Sequence, residues 1–124
     1  MSGDLRRIMV VDDDASMGQA IACVLRAGGF AATVFTSAET ALEADVAAAD
    51  CLVLDIYLPG MSGFDLYRQL TLSGKAMPVV FVTARDEPAV REEAERLGGA
   101  GSYLPKPFSG EDLLHAISQA LRCD

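Results

Sequence analysis

Four places in this 124-residue chain carry side chains whose types can work together. Asp12-Asp13-Asp14 follow the apolar run at Val10-Val11, and Asp55 follows Leu52-Val53-Leu54. Thr83 with Ala84 follows Val79-Val80-Phe81-Val82, and Lys106-Pro107 follows Tyr103-Leu104. Carboxylates gathered in one place repel: at an effective dielectric of about 20, two like charges 4 Å apart repel by roughly 4 kcal/mol. Something positive must offset that. Oxygen-only ligands suit a hard cation, and Mg2+ keeps several waters while using one or two carboxylates. Lys106 adds a mobile ammonium and Thr83 a hydroxyl. A divalent cation, an ammonium and a hydroxyl around one carboxylate are the parts needed for phosphoryl transfer, where the protein mainly positions groups and neutralises oxygens. Asp55 would be the nucleophile, as carboxylates are in enzymes that form aspartyl phosphates.

Those side chains need elements to bring them together. Five short apolar runs, Ile8–Val11, Ala32–Phe35, Leu52–Leu54, Val79–Val82 and Ser102–Leu104, alternate with five amphipathic ones. Runs that are apolar at every position suit parallel strands covered on both faces. Met17, Ala20, Ile21, Val24 and Leu25 keep the spacing of one helical stripe, which Gly28-Gly29 stop. Ser37 caps a second, Ala-rich helix expected to run to about Ala47. Pro59-Gly60 turns the chain, and Ser62 with Asp65 forms a capping box for a third helix. Pro88 opens a fourth, with Val90, Ala94 and Leu97 as its stripe before Gly98-Gly99. Ser109 with Asp112 caps the last, lined by Leu113, Ile117 and Leu121. A (βα) unit repeated five times predicts an α/β fold, a doubly wound five-stranded parallel sheet with helices on both faces. Ligands of such sheets bind outside the carboxyl ends of the strands at the switch point, where all four groups above would lie. If the first and third strands are neighbours, their ends sit about 5 Å apart, which crowds Asp12, Asp13 and Asp55.

Composition narrows the classes. Ten Lys plus Arg against 18 Asp plus Glu give a net charge of −8, which argues against direct contact with nucleic acid, whose phosphates are gripped by basic residues. Hydrophobic residues at 51% are too many for a disordered chain, and the length suits one domain over residues 1–124. No apolar run approaches the ~20 residues needed to cross a bilayer, and the polar stretch Met1 to Arg7 is not a secretory signal. The three cysteines, Cys23, Cys51 and Cys123, lack metal-ligand spacing; Cys23 and Cys51 read as buried small hydrophobes. The expectation is a reduced, cytoplasmic domain with no membrane contact. Asp14 reads as a solvated carboxylate or a helix cap, His115 as a surface or interface side chain, and Met9, Met17, Met61 and Met77 as core or turn fillers. The run Arg91-Glu92-Glu93-Ala94-Glu95-Arg96 reads as the solvated face of the fourth helix.

Taken together and in order, four segments resemble the receiver domain of bacterial two-component response regulators. They are Val10-Val11-Asp12-Asp13-Asp14, the run Asp55-Ile56-Tyr57-Leu58-Pro59-Gly60-Met61-Ser62-Gly63, Thr83-Ala84, and Tyr103-Leu104-Pro105-Lys106-Pro107-Phe108. The resemblance implies the flavodoxin-like strand order 2-1-3-4-5 and a role in phosphorelay signal transduction. It implies that Asp55 accepts a phosphoryl group from a sensor histidine kinase or a histidine phosphotransfer protein. Mg2+ would be held by Asp13, Asp55 and the backbone carbonyl of Tyr57, with Asp12 acting through a metal-bound water. Thr83 and the Ala84 amide would take one phosphoryl oxygen and Lys106 another. Thr83 and Tyr103 would be the switch residues, remodelling the face made by helix four, strand five and helix five, which would control an output domain or self-association. The Lys106–Pro107 bond would be cis. Tyr57 and Arg85, two residues beyond Asp55 and Thr83, are expected to hinder an attacking water and prolong the phosphorylated state.

On this reading the domain catalyses only its own phosphorylation and dephosphorylation and is not an enzyme toward other substrates. The rival from the enzyme class is a small Mg2+-dependent phosphatase or phosphotransferase using Asp55, for which 124 residues leave no cap. A flavin mononucleotide module would need a phosphate-cradling Ser/Thr- and Gly-rich loop where this chain has three aspartates. The run Phe35-Thr36-Ser37-Ala38-Glu39 is similar to receivers joined to helix-turn-helix transcription factors, a resemblance that implies transcription regulation.

Overall fold

The computed structural model describes residues 5–44, 48–72 and 77–122. The strands are β1 (Arg7–Val11), β2 (Ala31–Phe35), β3 (Cys51–Asp55), β4 (Val79–Thr83) and β5 (Tyr103–Pro105). The helices are α1 (Ala15–Ala27), α2 (Ala38–Glu43), α3 (Gly63–Leu70), α4 (Pro88–Gly98) and α5 (Gly110–Arg122). All the pairings are parallel and the strand order is β2-β1-β3-β4-β5, so the expected (βα)5 arrangement holds.

Alternation within the strands sends side chains to two cores. Met9, Val11, Leu52, Leu54, Val79 and Phe81 pack on the face covered by α2, α3 and α4. Ile8, Val10, Cys51, Val53, Val80 and Val82 pack on the face covered by α1 and α5, through Ile21, Leu25, Leu113 and Ile117. Every residue of β3 and β4 is buried, which is why those runs are apolar up to their last residues, Asp55 and Thr83. The caps read from sequence are present. Ser37 accepts from the Thr40 amide, Ser62 from the Asp65 amide, and Ser109 from the Asp112 amide. Asp14 accepts from the Met17 amide and so caps α1.

Three expectations need correcting. In α1 the buried positions are Gly18, Ile21, Ala22 and Leu25, whereas Ala20 and Cys23 are exposed. At 100° per residue both lie on the opposite side of the helix from that set, so Ala20 leaves the apolar stripe and Cys23 is not a core residue. The second helix ends at Glu43, because Ala44 turns extended (ψ 161°); Asp45 to Ala47 lie outside the described residues, as does Cys123. Cys51 is buried as expected. At the α3 entrance, only a glycine fits. A Cβ on Gly63 would strike the Asp55 carbonyl oxygen and stand 2.9 Å from Ile56 Cα, while the Gly63 amide donates to the Ile56 carbonyl at 2.7 Å. Gly63 thus lets α3 start directly against the end of β3, beside Asp55.

Candidate functional site

The strand order puts the switch point between β1 and β3, and the ladder continues just past the strands to seat the site residues. Asp12 donates its amide to the Phe35 carbonyl at 3.0 Å, Ile56 to Val82 at 2.9 Å, and Lys106 to Thr83 at 2.7 Å. Asp12, Asp55 and Thr83 are therefore held on rigid backbone at the carboxyl edge of the sheet, all three buried.

Asp12, Asp13 and Asp55 each offer a carboxylate oxygen within 4.8 Å of the others. Lys106 lies between two of them, its Nζ 3.0 Å from Asp12 Oδ2 and 3.6 Å from Asp55 Oδ2. The second oxygen of Asp12 accepts from the Asp14 amide at 3.0 Å, so both of its oxygens are engaged. Asp55 Oδ1 accepts from the Tyr57 amide at 3.1 Å. Asp13 is exposed and faces the opening lined by Tyr57, Pro59, Met61 and Asp65. One ammonium against three carboxylates leaves an excess of negative charge. The Asp55 carboxyl is raised from 3.8 to about 6, chiefly by burial. Lys106 and the Tyr57 amide oppose the rise, while Asp12 and Asp13 add to it. A buried, oxygen-only pocket with surplus negative charge fits a hard divalent cation.

The other expected residues surround this pocket. The Thr83 hydroxyl is turned to the next loop, accepting from the Arg85 amide at 2.9 Å and lying 3.2 Å from its carbonyl. Ala84 is exposed beside it. Tyr103 is buried, with its hydroxyl 2.9 Å from Asp86 Oδ1 and accepting from the Glu87 amide at 3.2 Å. The Arg91 guanidinium lies 5.2 Å from the centre of its ring. Burial, followed by the bond to Asp86, raises the Tyr103 hydroxyl above its ordinary pKa. The Lys106–Pro107 peptide bond is cis. His115 is exposed on α5, and Asp14 serves as the α1 cap. The charged run of α4 is mainly solvated, but Glu93 joins Arg68 of α3 at 2.6 Å.

Some of the arrangement was not visible in the sequence. Tyr57 and Arg85 stack, the guanidinium carbon 4.9 Å from the ring centre, and the Tyr57 hydroxyl donates to Glu87 Oε1 at 2.9 Å. That bond raises the Tyr57 hydroxyl pKa. Glu87 and Asp86 carry no motif, and only the meeting of two loops with β5 reveals them. The structural role of Gly63 was equally hidden within the Asp55–Gly63 run.

No helix among the described residues is long and apolar enough to cross a membrane. A model of the response regulator receiver domain matches residues 8–118. The sensory transduction protein RegX3 of Mycobacterium bovis is 41% identical over 116 residues, covering 93% of this chain and 50% of that protein. The response regulator protein TodT of Pseudomonas putida is 34% identical over 123 residues, covering 98% of this chain and 54% of that one. The chain thus spans about half the length of the curated relatives it matches. Among solved structures, a response regulator receiver domain from Clostridium thermocellum superposes with a TM-score of 0.85 at 26% identity, covering 96% of each chain. The response regulator StyR gives a TM-score of 0.79 at 38% identity, covering 97% of this chain and 61% of its own. The matched segment contains the acidic pocket, Thr83 and Lys106, and with it the chain belongs to the receiver-domain family of response regulators, the phosphorelay components of two-component signalling.

Proposed function

We propose that this domain is a switch controlled by phosphorylation of Asp55. The observation that carries the reading is Lys106, held between Asp12 and Asp55 at the switch point of the sheet. In the reaction an Asp55 oxygen attacks the phosphorus of a phosphohistidine on a sensor kinase or histidine phosphotransfer protein. The new P–O bond forms as the P–N bond breaks, and the electron pair leaves with the imidazole nitrogen. Asp13, Asp55 and the Tyr57 carbonyl would hold Mg2+, with Asp12 acting through water; bound there, the ion supplies neutralisation of the carboxylates and of the phosphoryl oxygens. Lys106 exchanges its contact with Asp55 for a phosphoryl oxygen. The Ala84 amide and the Thr83 hydroxyl take another, which requires Thr83 to give up the Arg85 backbone. Asp55 is buried, which strengthens these contacts.

Phosphorylation adds about 1.5 to 2 negative charges beside Thr83. A different pull on Thr83 is transmitted to the Arg85–Glu87 loop that also holds Tyr103, and so to the α4–β5–α5 face. That face would meet an output region or a second copy. Because the relatives are about twice as long as the matched segment, an output region is the favoured occupant. The reactions stay on the chain itself, in the cytoplasm where the donor kinase is charged, and no external phosphoester is turned over. The test is labelling by acetyl phosphate with Mg2+: Asp55→Asn takes no label while the unaltered protein does. Comparable labelling of the variant moves the acceptor elsewhere and overturns the reading.

A further inference from the structure

The β3–α3 and β4–α4 loops are tied together over the ends of two neighbouring strands, which finish at Asp55 and Thr83. Tyr57 rises from the first loop, its own amide bonded to Asp55 Oδ1, and its hydroxyl reaches Glu87, thirty residues along the chain. Arg85, from the second loop, lies on the Tyr57 ring. Glu87 occupies the N-cap position of α4, yet its side chain makes no cap; the carboxylate is committed to Tyr57 instead. Pro88 follows it and lacks an amide hydrogen, so α4 has one fewer donor needing a cap. Glu87 is therefore free to bond outside its own helix, at Tyr57. Its amide meanwhile donates to the Tyr103 hydroxyl on β5.

We infer that Glu87 is a positioning residue that latches Tyr57 and Arg85 as a lid over the phosphorylation pocket. The inference rests on the proposed phosphorylation of Asp55 and adds the regulation of that site. With the latch closed, the Tyr57 backbone is held at Asp55 through its amide and the ring is held at its far end by the hydroxyl bond to Glu87. A water that attacks phosphorus from the mouth of the pocket, expelling the Asp55 oxygen and completing inorganic phosphate, must pass this ring. Opening the latch therefore shortens the life of the phosphorylated form. Arg85 alone does not hold the ring, since a cation over an exposed aromatic face fixes neither its distance nor its tilt as a hydrogen bond does.

The test follows decay of the phosphorylated protein after acetyl phosphate is removed, in Mg2+ buffer. Glu87→Ala and Tyr57→Phe each lose the latch and speed decay by roughly threefold to tenfold, the scale of one hydrogen bond. The double variant decays no faster than either single one, because both remove the same contact. Glu87→Gln keeps an acceptor oxygen for the Tyr57 hydroxyl and restores slow decay. A second readout needs no phosphate: the ring-carbon NMR signal of Tyr57 in the unphosphorylated protein shifts in Glu87→Ala and stays near its place in Glu87→Gln. An unshifted Tyr57 signal in Glu87→Ala, unchanged decay, or additive effects in the double variant each overturn the latch. Failure of the unaltered protein to take label overturns the phosphorylation reading itself, and with it the protective role, while a Tyr57 shift would still stand for the contact.

Discussion

Removing the charge of Asp55 should make the metal-free protein more stable. The carboxyl is raised from 3.8 to about 6 in the folded state, so between those values the folded chain holds a proton that the unfolded chain has released. Stability must then fall as pH rises through that window and level off above it. The full loss is about 3 kcal/mol, of which about half has accrued by pH 5. Asp55→Asn isolates this effect well. An Asn oxygen still accepts from the Tyr57 amide, and Lys106 keeps its 3.0 Å contact with Asp12. Groups remote from the pocket are present in both proteins and cancel in the difference. The measurement is urea unfolding followed by circular dichroism, with a chelator present, at about pH 5 and pH 7.5. The variant is expected to be more stable by up to about 3 kcal/mol at the higher pH, with the gap narrowing to roughly half at the lower. Added Mg2+ should stabilise the unaltered protein more than the variant, which has lost one of its acidic ligands. If the unaltered protein is as stable as the variant at pH 7.5 in chelator, or if the gap widens on acidification, the crowded-pocket argument is wrong.

Two further outcomes follow from the same geometry. Gly63→Ala drives a Cβ into the Asp55 carbonyl and to 2.9 Å from Ile56 Cα, where only backbone could yield; a loss of at least about 2 kcal/mol is expected in urea unfolding. A loss under about 0.5 kcal/mol would mean that α3 has room to slide. Lys106→Met removes the largest influence holding the Asp55 carboxyl down, so its pKa should climb further above about 6, read from the side-chain carbon signal in an NMR titration without metal. An unchanged or lower midpoint would show that the ammonium does not act on Asp55.

The amino-acid sequence alone determined the elements and the chemical inventory of the pocket. The central strands β3 and β4 are legible because burial on both faces demands continuous apolar runs, and the helices because Ser37, Ser62 and Ser109 cap within a few residues of themselves. Asp12, Asp13, Asp55, Thr83 and Lys106 are legible because each ends or follows a strand, and a parallel sheet gathers its carboxyl ends on one edge. Tertiary structure decided what depends on distance across the chain. Ala20 and Cys23 lie within an apolar stretch of sequence, yet α1 turns them to solvent because the sheet takes only one side of the helix. The raised pKa of Asp55 needs its burial and two other carboxylates at once, enough to outweigh a lysine 51 positions away that pulls it down. The latch from Tyr57 to Glu87 and the link from Arg68 to Glu93 join loops and helices whose separation is set by crossovers. Local pattern carries periodicity and capping within a turn or two, but the angle at which one crossover returns beside another is fixed only by packing of the whole core.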